Sequence, residues 1–118
     1  MEDFQSQIDK IKFQVSLIGE SLDSMKHPIA SLVISMGWDE LCLNIAHDIF
    51  EKYERLIDSG EKPNWTEFEF EFDEKLGVGY QRLKSIVLAF YRSERWMHVC
   101  ELYAKEKECM EFHEIIEG

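Results

Sequence analysis

The chain has 118 residues, 45% of them hydrophobic and 13% aromatic, which suffices for one folded domain and excludes a disordered one. A formal charge of −11, from 24 acids against 13 bases, argues against nucleic-acid binding, because phosphate contacts need Lys and Arg. The longest apolar runs, residues 29–36 and 86–91, are too short to cross a bilayer, and the opening Met-Glu-Asp-Phe lacks the basic-then-apolar order of a secretory signal.

Cys42, Cys100 and Cys109 are odd in number and follow no framework spacing, so reduced thiols in a cytoplasmic protein are expected. No Ser-, Gly- or Pro-rich linker divides the chain, and no internal repeat is visible. The expectation is a single all-α domain over residues 1–118, with a coiled-coil-like helix at 1–26 and a helical bundle at 28–118. Five to six helices are predicted.

Phe4, Ile8, Ile11, Val15, Ile18, Leu22 and Met25 alternate at spacings of four and three. A repeat of roughly 3.5 residues marks a helix whose narrow apolar seam faces other helices. The helix is predicted over residues 3–24, with these seven side chains as the interface of a homo-oligomer, dimer or trimer. Branched residues at both a and d favour trimers or larger bundles over a parallel dimer. The e and g positions (Gln5, Lys12, Gly19, Lys26; Gln7, Gln14, Ser21) carry no charge code for a partner. Phe13 and Leu17 lie outside the seam and predict a second face packed on the rest of the subunit.

His27-Pro28 punctuates the chain, proline being well placed in a first helical turn. Residues 29–36 are apolar nearly all round and predict a short buried helix ending at Gly37. A third helix starts near Asp39 as N-cap, with Cys42, Ile45, Ala46, Ile49, Phe50, Tyr53, Leu56 and Ile57 forming a wide apolar stripe, and stops at Ser59-Gly60.

Residues 65–72 read two ways. Phe68-Glu69-Phe70-Glu71-Phe72 alternates with period two, a strand signature. Against that, Thr66 can cap a helix, acids crowd its positive end, and Trp65, Phe68, Phe72 and Leu76 share one helical face. With no second strand to pair with, helix is preferred. Gly77-Val78-Gly79 breaks it. A helix over residues 80–93 buries Leu83, Ile86, Val87, Phe90 and Tyr91. A last helix over residues 95–112 buries Trp96, Val99, Cys100, Tyr103 and Met110, with Arg92-Ser93-Glu94 as the turn between them. Trp38, Trp65 and Trp96 stand near helix starts, as core anchors or, if exposed, as interface hot spots.

The heptad helix, His27-Pro28, the short apolar helix ending in Gly37, Trp65-Thr66-Glu67-Phe68 and Leu88-Ala89-Phe90-Tyr91 come in an order that resembles the small YhaI-like proteins of Bacillus, a domain of unknown function. The resemblance covers about residues 8–106. It implies an all-helical fold that assembles through its helices, with no activity and no catalytic residues. Gly77-Val78-Gly79 and the acidic end after Lys105 depart from that pattern.

Charge is uneven. Residues 39–74 hold twelve acids and three bases, whereas residues 75–93 hold Lys75, Arg82, Lys84 and Arg92 with no acid. One reading is a solvated acidic surface paired with its few cations. The other is an acidic face, with Asp48, Glu51, Glu54, Asp58, Glu67, Glu69 and Glu71 as its residues, that attracts a basic partner protein. From charge alone, such a partner could be a host regulatory or nucleic-acid-acting protein, occupied as an antitoxin or phage-encoded inhibitor would occupy it.

No catalytic motif stands out. His98, Cys100, Cys109 and His113 are the local soft ligands, but His98 and Cys100 are two apart and diverge on a helix, and no C-x-x-C loop exists. Neither metal nor cofactor is expected. No Gly-x-Ser-x-Gly elbow or phosphate loop occurs. The expectation is a non-enzymatic regulatory or adaptor protein that binds itself and another protein, without nucleic acid or membrane. The alternative is a small enzyme or ligand-binding bundle with a pocket near His47 and Glu51, or His47 and Glu40.

Overall fold

A computed structural model describes residues 3–117 and contains, among these, seven α-helices, one 3₁₀ turn and no strand. The helices are α1 Phe4–Ser21, α2 Pro28–Met36, α3 Glu40–Asp58, α4 Trp65–Leu76, α5 Tyr80–Arg92, α6 Met97–Lys107 and α7 His113–Glu117, with the 3₁₀ turn Met110–Phe112 before α7. The all-helical class is as expected, but the helix count exceeds five to six. The difference lies at the C-terminal end. Glu108 adopts left-handed angles (φ 44°), ends α6 and turns the chain back, so that the expected single helix over 95–112 is α6 and the 3₁₀ turn, with α7 beyond it and Met110, expected inside, left exposed.

Local chemistry explains most of the boundaries. The Asp39 carboxylate accepts the Cys42 N–H at 2.9 Å at the start of α3. Asn64, rather than Thr66, caps α4 by accepting from the N–H groups of Thr66 and Glu67 at 3.0 and 3.2 Å. Gly37 at φ 68° closes α2, with Gly37 N–H on Ile34 and Trp38 N–H on Val33. The period-two phenylalanines resolve as helix: Phe68 and Phe72 are buried one turn apart, and Phe70 points outward, 60% exposed.

The core is aromatic and sits where α3, α4, α5 and α6 meet. Phe50 packs edge-on against Phe68 and Phe72, at centroid distances of 5.5 and 5.6 Å, and tilts against Phe90 at 4.7 Å. Tyr103 of α6 meets Phe68 at 5.2 Å and Phe112 at 5.7 Å, which places the C-terminal turn inside the same core. Its hydroxyl donates to Glu69 Oε2 at 2.6 Å, and Lys107 reaches the same oxygen at 3.0 Å. The aromatic pairs add about 0.5–1.5 kcal/mol each beyond burial.

α1 stands apart from this core. It has no buried residue, and the radius of gyration, 16.3 Å, exceeds the roughly 13.5 Å of a compact chain of this length. Its contact with the bundle is made near its C-terminal end, where a Cβ on Gly19 would lie 2.7 Å from Ile34 Cγ2.

Three expectations need correction here. Phe13 and Leu17 do not dock on the subunit; they are 64% and 49% exposed. The first helix ends at Ser21 rather than 24, because Leu22 is extended and the Asp23 carboxylate accepts the Met25 N–H at 2.8 Å in a competing turn. Leu22 and Met25 therefore follow the helix rather than extend its seam. α2 buries Leu32 alone, since α1 leaves the outer side of α2 uncovered. No single helix among the described residues is long and apolar enough to cross a membrane.

Candidate functional site

α6 begins without a cap of its own. Trp96 precedes it in left-handed angles (φ 53°, ψ 44°) and offers no side-chain oxygen to the first-turn N–H groups. Glu54 of α3 supplies what is missing: its Oε1 accepts the Val99 N–H at 3.2 Å. A carboxylate there also meets the positive end of the α6 dipole.

The same carboxylate helps build a cluster. Glu54 Oε2 lies 3.0 Å from Nδ1 of His98, and Asp58 Oδ1 lies 3.3 Å from it. Glu54 and Asp58 are one turn apart on α3, and His98 is the second residue of α6. One ligand atom from each of the three falls within 4.8 Å of the other two. Glu54 is half-buried, whereas Asp58 and His98 are exposed. Ligands 2.1 Å from a tetrahedral ion stand about 3.4 Å apart, close to both distances to Nδ1. Either carboxylate can accept from an Nδ1–H; a metal held there would need Nδ1 unprotonated.

Of the soft ligands noted in the sequence, His98 alone joins this cluster. Cys100 is fully buried, with its sulfur 3.6 Å from the Val87 carbonyl, and burial pushes its thiol far above the range in which it would ionise. His113 instead faces Glu117 at 2.9 Å. Cross-chain proximity of His98 to Glu54 and Asp58 spans some forty residues and has no spacing signature; the sequence offers only the i,i+4 carboxylate pair on α3.

His47 and Glu51 have separate partners. The His47 ring is half-buried against Phe90 at 5.0 Å, and its Nδ1 accepts the Trp96 indole N–H at 3.2 Å. Desolvation first, and Arg95 second, hold its pKa below the ordinary value. Glu51 pairs instead with Arg55 one turn on. A cleft of about 530 Å³ lies elsewhere, between α1 and α2, with Ile11, Val15, Gly19 and Ile34 among its walls.

Five of the seven acids of the expected acidic face are engaged within the chain, Glu51 with Arg55 among them. Glu71 receives Lys52 at 3.2 Å and Lys75 at 3.4 Å, Glu69 receives Tyr103 and Lys107, and Glu54 and Asp58 face His98. Desolvation would raise the Glu71 carboxyl, but Tyr53 and Lys52 beside it outweigh that and lower it. Asp48 and Glu67 are exposed, with no ion pair among the described residues. The basic segment is shared out similarly: Lys84 meets Glu111 at 3.0 Å and Arg92 meets Glu114 at 2.7 Å.

No family model, no curated protein and no solved structure matches the chain.

Proposed function

We propose that the chain is a small ligand-binding helical bundle that takes a divalent transition-metal ion at the α3–α6 junction. The convergence of Glu54, Asp58 and His98 from two helices carries this reading. One imidazole nitrogen and two carboxylate oxygens suit zinc-like ions better than calcium, which prefers more oxygens, or a thiolate-seeking ion. Glu54 is fixed by its bond to Val99 and Asp58 by helix register, so two of the three donors are held before an ion arrives. We read the role as binding, since Asp58 and His98 are open to water.

The test is calorimetric titration of the full chain with Zn²⁺ in two buffers of different ionisation enthalpy. Saturable one-site binding is expected, with at least tenfold weaker affinity in Asp58→Asn and His98→Ala. Both residues are exposed, so both variants keep their far-ultraviolet circular dichroism. Unsaturable heat, or variants that bind as well as the parent, overturns the assignment.

A second reading is a non-catalytic adaptor that uses an acidic face for a basic partner protein. It draws on the net charge of −11 and the exposed Asp48 and Glu67. The internal pairing of Glu51, Glu54, Glu69 and Glu71 narrows that face. Salt-sensitive capture of a basic protein, lost in Asp48→Asn/Glu67→Gln, supports it; capture indifferent to salt and to those substitutions counts against it.

A further inference from the structure

We infer that the cleft between α1 and α2 receives α1 of a second copy, antiparallel to the first, closing the protein into a two-fold dimer. This is independent of the α3–α6 junction.

The first ground is the apolar surface that α1 leaves in water. Phe4, Ile8, Ile11, Val15 and Ile18 are all at least 43% exposed along one side of one helix. Single exposed leucines or isoleucines need no explanation, but a contiguous stripe of this length marks an interface. An 18-residue helix with no buried residue is also marginal by itself in water. Covering the stripe removes roughly 600 Å² per copy, or about 1,200 Å² in all, which reaches the lower bound of stable specific interfaces.

The second ground is charge, which selects the occupant. The chain as a whole is at −11, so two copies repel over most of their surfaces. Residues 4–26 hold Asp9, Glu20 and Asp23 against Lys10, Lys12 and Lys26 and are neutral. α1 is thus the part of the molecule that copies can bring together without repulsion.

The third ground is register. The cleft carries Lys12 on its α1 wall one way and Glu20 the other. A two-fold axis passing between Ser16 and Leu17 sets Val15 opposite Ile18 of the second copy, a against d. The same axis brings Lys12 of one copy toward Glu20 of the other, twice. A parallel pairing would instead set Lys12 near Lys12 and Glu20 near Glu20. Isologous contacts of this kind close on themselves and stop at two.

Gly19 fixes the angle of the cleft. Without a side chain it lets α1 approach α2 at Ile34, and from that contact the two helices diverge toward Phe4. The half-buried outer side of α2 then lies in reach of the incoming helix.

Light scattering coupled to size exclusion tests the inference on the full chain. The expected mass is twice the 14.0 kDa of the chain, falling to one chain in Ile11→Asp/Ile18→Asp. Neither residue belongs to the aromatic core, so near-ultraviolet circular dichroism reports whether the bundle survives. A single-chain mass for the parent, a trimer, or an unchanged mass in the folded double variant overturns the proposal. Orientation is read by oxidation in a Cys42→Ser/Cys109→Ser background. Val15→Cys mixed with Ile18→Cys is expected to cross-link as the mixed pair, whereas efficient Val15→Cys self-linkage overturns the antiparallel arrangement.

Discussion

The indole N–H of Trp96 donates to Nδ1 of His47 at 3.2 Å, joining the residue before α6 to the middle of α3. The bond requires Nδ1 to be unprotonated, and it holds Trp96 in left-handed angles that cost a non-glycine residue about 1 kcal/mol or more. Because burial lowers the folded-state pKa of His47 below 6.5, the folded protein favours the neutral ring. This contribution to stability is fully present above the unfolded value and is lost as pH falls through the lower folded one. Thermal denaturation should therefore show a midpoint that declines on acidification below about pH 6.5. In His47→Gln, which can still accept from Trp96 and does not titrate, that part of the decline should vanish.

Glu108 provides a test in the opposite direction. It ends α6 at φ 44° and ψ 45°, a position that helices ordinarily give to glycine. Its side chain makes no ion pair among the described residues, so little is lost with it. Glu108→Gly should raise stability by about 0.5–1 kcal/mol in urea denaturation, with an unchanged slope. A loss of stability would mean that the turn after α6 is held by the glutamate side chain.

The C-terminal turn should matter as much as a central helix. Phe112 is fully buried against Tyr103. Phe112→Ala should cost about 3–5 kcal/mol, the range for a buried aromatic whose cavity cannot collapse. An exposed, frayed terminus would instead lose less than ~0.5 kcal/mol on the same substitution.

These residues also show which parts of the fold could be read from the sequence. Periodicity and punctuation found α2 through α5, because Pro28, Gly37, Asp39 and Gly77 each act within a turn of themselves. The helical reading of residues 65–72 held because Phe68 and Phe72 share a face while Phe70 does not. What failed depended on distant contacts or unusual angles. Nothing local marks Glu108 as left-handed, so α6 was expected to run on to Phe112. Heptad spacing located α1 to within a few residues, but it could not show that Phe13 and Leu17 would be exposed. The candidate site was the least legible, since His98 meets Glu54 and Asp58 only through the packing of α6 on α3.

Glu54 has two roles at that junction, and they can be separated. As the acceptor for Val99 it stands in for the missing cap of α6, a contribution of about 1–2 kcal/mol when such an oxygen is removed. Glu54→Ala should lose that stability in metal-free protein, whereas Asp58→Asn should lose almost none, because Asp58 touches only the exposed His98. Glu54→Gln keeps an oxygen for the Val99 N–H and should restore most of the stability. With Zn²⁺ added, the ordering should change. The parent should gain thermal stability, while Glu54→Gln and Asp58→Asn should gain little, since each lacks one anionic donor. Equal Zn²⁺-induced shifts in all three proteins would leave Glu54 as a helix cap and remove the junction as a metal site.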